Sequence, residues 1–369
     1  RKMLLLTPGP TPVPEAIRVA MSEPTIHHRT PEFEEIFGKT RELLKKFFDM
    51  PEVLMLASSG TGAMEASVLN LCKKKALVVN SGKFGERFGE ICKAYEIQYQ
   101  ELKYEWNTPC SLDDVAQALK NDSDIDTICV QVCESAGGLR HPVEAIAKLA
   151  KAHNPEISII ADGITAVGVE KIDTTYIDAL VSGSQKAFML PPGLSMVGLS
   201  AHAIEKIQAS PRGFYFNLAT ELKNQQKNTT AWTAPTTLVI GLKAILESID
   251  EDGIEQLYAD TAARAKATRE ALKTLGLKIY PKVPANSMSA VLDEDAAQIR
   301  KILKQKYHVN IAGGQEHIKT TLFRINHMGI FEGYEIPWTL NAIELALDEL
   351  GRRPYDGSAN RVFCETLYK

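Results

Sequence analysis

The chain has 369 residues, 44% hydrophobic and 24% charged, and its 42 basic against 46 acidic side chains leave a net charge of −4. That length holds two or three domains around a core that needs no disulfide staples, which excludes a small binding module or a disordered tail. The charge gives no electrostatic reason to bind nucleic acid or an anionic membrane, and no apolar run reaches the ~20 residues of a membrane span.

In chain order, the apolar run 53–57 predicts a buried strand, followed by Ser58-Ser59-Gly60-Thr61-Gly62 and a helix over 63–71. A strand over 76–79 leads through Ser81-Gly82-Lys83-Phe84-Gly85 into a helix ending near Tyr95. A strand over 127–132 precedes a helix over 143–153, where Val143, Ile146, Ala147 and Ala150 share one face. Strands over 157–161, 179–181 and 195–199 follow. Continuously apolar strands alternating with helices predict an α/β fold with a mostly parallel sheet covered by helices on both faces. Beyond residue 235 the pattern changes to long helices over 236–249 and 254–275, strands over 277–280, 289–292 and 321–325, and helices over 296–307 and 337–350. The expected organisation is an N-terminal arm (1–15), a large domain (16–252), a smaller C-terminal α+β domain (253–350) and an extension (351–369) expected to be mobile or to touch a partner. The six cysteines include no C-x-x-C pair. They read as reduced, mostly buried thiols of a cytoplasmic protein, with no metal site expected.

Three polar clusters fall beyond the carboxyl ends of predicted strands, where open parallel sheets bind ligands. Ser58-Ser59-Gly60-Thr61-Gly62 opens a helix and suits a phosphate, or is a plain Gly/Ser turn with a cap. It is neither a Walker loop nor G-x-G-x-x-G. Asp162 ends a strand that reads as buried. It is a turn residue or the partner of a cation, either a metal or a protonated ring nitrogen. Lys186 follows the strand 179–181 between small residues and Phe188-Met189-Leu190-Pro191-Pro192-Gly193. A loop lysine is ordinarily solvated, but this setting desolvates the amine and favours Schiff-base chemistry. An acid at one strand end and a lysine at the next is the layout that pyridoxal 5'-phosphate (PLP) requires.

Together, LLLTPGPTPVPEAI (4–17), HHRTPEFEEI (27–36), SSGTGAMEA (58–66), ESAGG (134–138), ADGITAVG (161–168), SGSQKAFMLPPG (182–193) and IAGGQ…LFRINHMG (311–329) resemble a class V aminotransferase of PLP fold-type I, in the alanine–glyoxylate / serine–pyruvate aminotransferase group. The resemblance covers about residues 4–350. It implies a PLP-binding large domain and transfer of an amino group from serine or alanine to pyruvate or glyoxylate. It also implies a homodimer with active sites at the subunit interface. By this resemblance Lys186 carries the cofactor and shuttles protons, and Asp162 pairs with the pyridinium nitrogen. Ser59, Gly60, Thr61 and Gln185 hold the phosphate, Phe84 stacks on the ring, and Ser135 bonds the ring's phenolic oxygen or the neighbouring acid. Thr233 reaches the phosphate from the other subunit, and Arg324 grips the substrate carboxylate. Read without the resemblance, Arg324 is an ordinary ion-pair residue, Phe84 a core residue and Thr233 a helix cap. The sequence has Phe84 where family members often place Trp, and Thr61 and Thr230 where some place His and Tyr respectively. Competing expectations are an enzyme of the same fold acting on 2-aminoethylphosphonate or phosphoserine, and a PLP lyase or desulfurase. Least favoured is a nucleotide-binding dehydrogenase, against which the missing G-x-G-x-x-G counts.

Overall fold

The computed structural model describes residues 2–369. Its strands, in chain order, are β1 (Leu4–Leu6), β2 (Glu52–Leu56), β3 (Lys75–Asn80), β4 (Gln98–Lys103), β5 (Ile125–Gln131), β6 (Cys133–Glu134), β7 (Leu139–Arg140), β8 (Ser158–Asp162), β9 (Ala179–Gly183), β10 (Ser195–Leu199), β11 (Lys278–Ile279), β12 (Met288–Leu292), β13 (Val309–Gly313) and β14 (Leu322–Asn326). The helices are α1 (Glu15–Met21), α2 (Pro31–Phe48), α3 (Gly60–Leu71), α4 (Lys83–Ala94), α5 (Leu112–Asn121), α6 (Val143–His153), α7 (Ala201–Ala209), α8 (Leu218–Gln225), α9 (Thr236–Asp252), α10 (Ile254–Thr274), α11 (Ala296–Lys306), α12 (Glu335–Glu349) and α13 (Ser358–Tyr368).

Consecutive apolar residues make a strand buried on both faces, because alternate side chains point to opposite sides. Along β3, Leu77 and Val79 enter one core while Ala76 and Val78 enter another. In β8, Ile159 and Ala161 face the first core and Ile160 the second. The resulting seven-stranded sheet has the order β2-β10-β9-β8-β5-β3-β4. Its pairs are parallel from β4 through β9, whereas β10 runs antiparallel to both β9 and β2. The α/β architecture with a mostly parallel sheet is thus present. No helix among the described residues is long and apolar enough to cross a membrane.

A second sheet has five strands in the order β1-β13-β14-β12-β11, two more than the three predicted for that region. One addition, β13, is as long as β12 and β14 but has only Val309 and Ile311 buried, so no continuous apolar run marks it. The other, β1, comes from the N-terminal arm and pairs in parallel with β13, Leu4 opposite Val309. A third core joins this sheet to α10, α11, α12 and α13.

The extension 351–369 differs from expectation. It folds as α13 against α10, with Ala359 and Phe363 buried in the third core. Its entry is pinned by the fully buried Glu344, whose Oε1 accepts from Arg353 at 2.9 Å and from the backbone N–H groups of Asp356 and Gly357 at 2.9 and 3.1 Å. The apolar stripe of this chain end is covered by its own helical neighbour.

Candidate active site

The carboxyl ends of β8 and β9 lie side by side, Asp162 paired in register with Val181. Asp162 is the last residue of β8 and only 3% exposed. Its Oδ1 accepts the Ile164 N–H at 2.9 Å. Burial raises its carboxyl to about 6, against the opposing pull of that bond and of the Arg87 and Lys186 charges. Gln131 lies opposite it on β5, fully buried, with neither amide atom hydrogen-bonded.

Lys186 stands in the turn beyond β9. Its Nζ donates to the Pro8 carbonyl at 2.6 Å, and the Thr11 hydroxyl donates to the Lys186 carbonyl at 2.7 Å. The segment after β1 therefore crosses over the lysine as a strap. Burial, then the Arg324 charge, lowers the amine to about 8. A useful fraction of it is uncharged near neutral pH.

The N-terminus of α3 closes another wall. Ser59 is its N-cap in extended conformation and makes no side-chain cap bond, so the N–H groups of the first turn at Gly60 and Thr61 point outward without intrahelical partners. A Cβ on Gly183 would sit 3.1 Å from Gln185 Oε1 and 3.8 Å from the Gly60 nitrogen, which places Gln185 beside this turn. Gln185 Oε1 is itself buried and unbonded. Arg87, on α4, donates to Thr61 Oγ1 at 3.0 Å and lies over the Phe84 ring, 4.8 Å from its centroid. Phe84 is half-buried and outside every core cluster, unlike its neighbour Phe88, which is fully buried in the second core.

From the smaller sheet, Arg324 on β14 donates through Nε to the Gly313 carbonyl at 2.9 Å and through a terminal nitrogen to the Ser135 carbonyl at 2.7 Å. Burial lowers its guanidinium to about 10, still charged at neutral pH. Among the described residues Arg324 has no ion-pair partner. It is not the surface ion-pair residue that its strand position alone allows.

Of the residues singled out in the sequence, Ser59, Gly60, Thr61, Phe84, Ser135, Asp162, Gln185, Lys186 and Arg324 thus converge on one region. Thr233 does not join them within the chain. It is exposed in the segment before α9, and α9 is capped by Pro235, so Thr233 is not a helix cap either. Four further residues take part that the motif positions alone do not single out: Pro8, Gly9, Arg87 and Glu134. Glu134 is wholly buried, and burial raises its carboxyl to about 7 against the backbone N–H bonds it accepts. It stands inside the quoted ESAGG stretch, where an acid in an apolar setting is a readable signal. Arg87 reads as a surface helix charge and gives none.

The family model described as aminotransferase class-V matches residues 8–329. An uncharacterized aminotransferase of Helicobacter pylori is 53% identical over 99% of this chain and 100% of its own length. A serine–glyoxylate aminotransferase of Hyphomicrobium methylovorum is 30% identical over 99% of this chain and 94% of its own. Among solved structures, an aspartate aminotransferase of subgroup IV from Thermus thermophilus superposes with a TM-score of 0.87 at 34% identity, covering 94% of this chain and 99% of that one.

Proposed function

The chain belongs to the class V aminotransferases and is a PLP-dependent enzyme, and on that premise we propose that it moves an amino group from serine or alanine to pyruvate or glyoxylate. The observation that supports the amino-transfer chemistry is the enclosed Lys186 amine, lowered to about 8, beside the buried Asp162 on the adjoining strand end, and the name of the serine–glyoxylate relative supports serine as donor.

The residues present fit the cofactor. Gln185 Oε1 and both amide atoms of Gln131 are buried without partners, and the missing side chains at Gly60 and Gly183 let Ile164 and Gln185 close in around the α3 N-terminus, where a Cβ would lie 2.5 Å from Ile164 Cδ1 and 3.1 Å from Gln185 Oε1. Ser59, Gly60, Thr61 and Gln185 would hold its phosphate at the α3 N-terminus. Phe84 would cover the ring, Ser135 would bond its phenolic oxygen, and Asp162 would pair with its ring nitrogen. When bound, PLP supplies an aldehyde that condenses with amines and a ring that takes up the electron pair released at the substrate Cα.

The chain's own residues do the rest. Uncharged Lys186 Nζ would take the proton from the substrate Cα and deliver it to the carbon on the other side of the amino nitrogen, the one that begins as the cofactor's aldehyde. Ionised Asp162 keeps the ring nitrogen protonated, and so favours that transfer. Arg324 receives the substrate carboxylate in its planar fork and fixes which Cα bond faces the lysine. In the proposed homodimer, with its active sites at the subunit interface, exposed Thr233 reaches the phosphate across that interface. The cytoplasm is the proposed location.

A second reading makes aspartate the amino donor. The name of the Thermus relative favours it, and so does Arg87, a guanidinium beside Phe84 with no acidic partner among the described residues. A desulfurase is disfavoured. Five of the six thiols are buried, and the sixth, Cys364, lies on α13.

Borohydride reduction followed by peptide mapping should trap the cofactor on Lys186. Lys186→Ala should abolish trapping and lower transamination by roughly a thousandfold or more, and full activity in that variant would end the reading. Half-reaction spectra with serine, alanine, aspartate, phosphoserine and 2-aminoethylphosphonate identify the donor.

A further inference from the structure

We propose that Glu134 is a positioning residue that sets the spacing between the aromatic wall at Phe84 and the carboxylate clamp at Arg324. The inference rests on the reading of Arg324 as the group that receives the substrate carboxylate. Glu134 has no exposed surface. Its Oε1 accepts the backbone N–H groups of Phe84 and Gly85 at 3.0 and 2.8 Å, and its Oε2 accepts that of Ala136 at 3.1 Å. Phe84 and Gly85 are in the first turn of α4. The carboxylate thus satisfies donors that a helix start leaves open and complements the positive end of the helix dipole.

The very next residue, Ser135, gives its carbonyl to Arg324. Two consecutive residues therefore hold both parts, one through a side chain and one through the backbone. The approach is tight, since a Cβ on Gly82 would lie 2.4 Å from Glu134 Cδ. The α4 start can come this near only because residue 82 has no side chain. What matters in this arrangement is the reach of the side chain more than its charge, because three backbone N–H groups fix where the two oxygens must be.

Two conservative variants separate reach from charge. Glu134→Asp keeps the charge and shortens the reach by one methylene. Glu134→Gln keeps the reach and the Oε1 acceptor without the charge. In cofactor-free protein, hydrogen exchange at the Phe84 and Gly85 amides should rise about tenfold or more in Glu134→Asp and stay near wild type in Glu134→Gln. In the holoenzyme, Glu134→Asp should raise KM for carboxylate substrates about tenfold with kcat changed less than about threefold, and Glu134→Gln should restore KM to within about threefold. Wild-type behaviour of Glu134→Asp on both measures overturns the proposal. So does impairment of Glu134→Gln equal to that of Glu134→Asp, or exchange that rises throughout the protein rather than at these two amides. The exchange measurement needs neither cofactor nor substrate, so it stands apart from the assignment of Arg324, which Arg324→Ala tests alone.

Discussion

At residue 9 the absence of a side chain decides whether the lysine has room. Gly9 has φ +104°, and a Cβ there would lie 2.2 Å from Lys186 Nζ. Gly9→Ala therefore strains the strap and collides with the amine at once. The expected result is at least about a tenfold drop in borohydride-trapped cofactor with an unchanged far-UV spectrum, and normal trapping would show that the strap simply moves aside. Asp162 makes a prediction about pH. Its carboxyl is near 6 in the fold against an ordinary 3.8, so the fold favours the protonated form. That stabilisation is fully present below pH 3.8 in the cofactor-free protein and is lost as pH rises through about 6. It amounts to something on the order of 3 kcal/mol, at ~1.4 kcal/mol per pKa unit. Urea unfolding of cofactor-free wild type and Asp162→Asn between pH 4 and 7 should show a steeper loss in the wild type, the residual slope of the variant coming from Glu134, which titrates in the same window, and parallel curves would remove Asp162 as a source. Asp162 is legible because it ends an apolar strand, and Lys186 because it stands in the turn just beyond one. Glu134 and Gly9 act through contacts with distant backbone and side chains, which sequence order does not reveal.

Among the elements, those of the central sheet were the most legible, since burial on both faces forces unbroken apolar runs. Edge strand β4 was missed because its exposed side chains include Gln98, Tyr99 and Glu101, so no apolar run marks it. Helix α2 carries a readable start, with Thr30 capping Phe33 N–H and Pro31 at the first turn, but its apolar stripe of Phe33, Phe37 and Leu44 is diluted by charges between. Helix α13 shows how an unmatched tail becomes structure. Phe363 is 2% exposed in the third core. Phe363→Ala should lower stability by about 3–5 kcal/mol, as large-to-small core changes do. Because α13 touches none of the residues assigned to the cofactor, trapping at Lys186 in the folded variant should be unchanged. A lost cofactor signal alongside intact stability would contradict that separation.

For the molecule as a whole, the site is assembled from both sheets. Asp162 and Lys186 come from the seven-stranded sheet, and Arg324 comes from the five-stranded one and bonds the Ser135 carbonyl across the gap. Arg324→Ala should leave trapping on Lys186 intact while raising KM for amino and 2-oxo acids roughly 10- to 100-fold, the worth of a charge-assisted bidentate contact. Steady-state kinetics with unchanged KM would remove Arg324 from substrate binding.

The strap also has a timetable. It is seated over Lys186 by β1, and β1 is held by its pairing of Leu4, Leu5 and Leu6 with Val309, Asn310 and Ile311. During synthesis those partners leave the ribosome long after the strap and the lysine have both emerged. A pairing of such high contact order forms late. The strap's own bonds from Thr11 to the Gln185 and Lys186 carbonyls need no such partner, so completion of the outermost strand of the smaller sheet adds a second anchor, one that ties the cover over the amine to the other sheet.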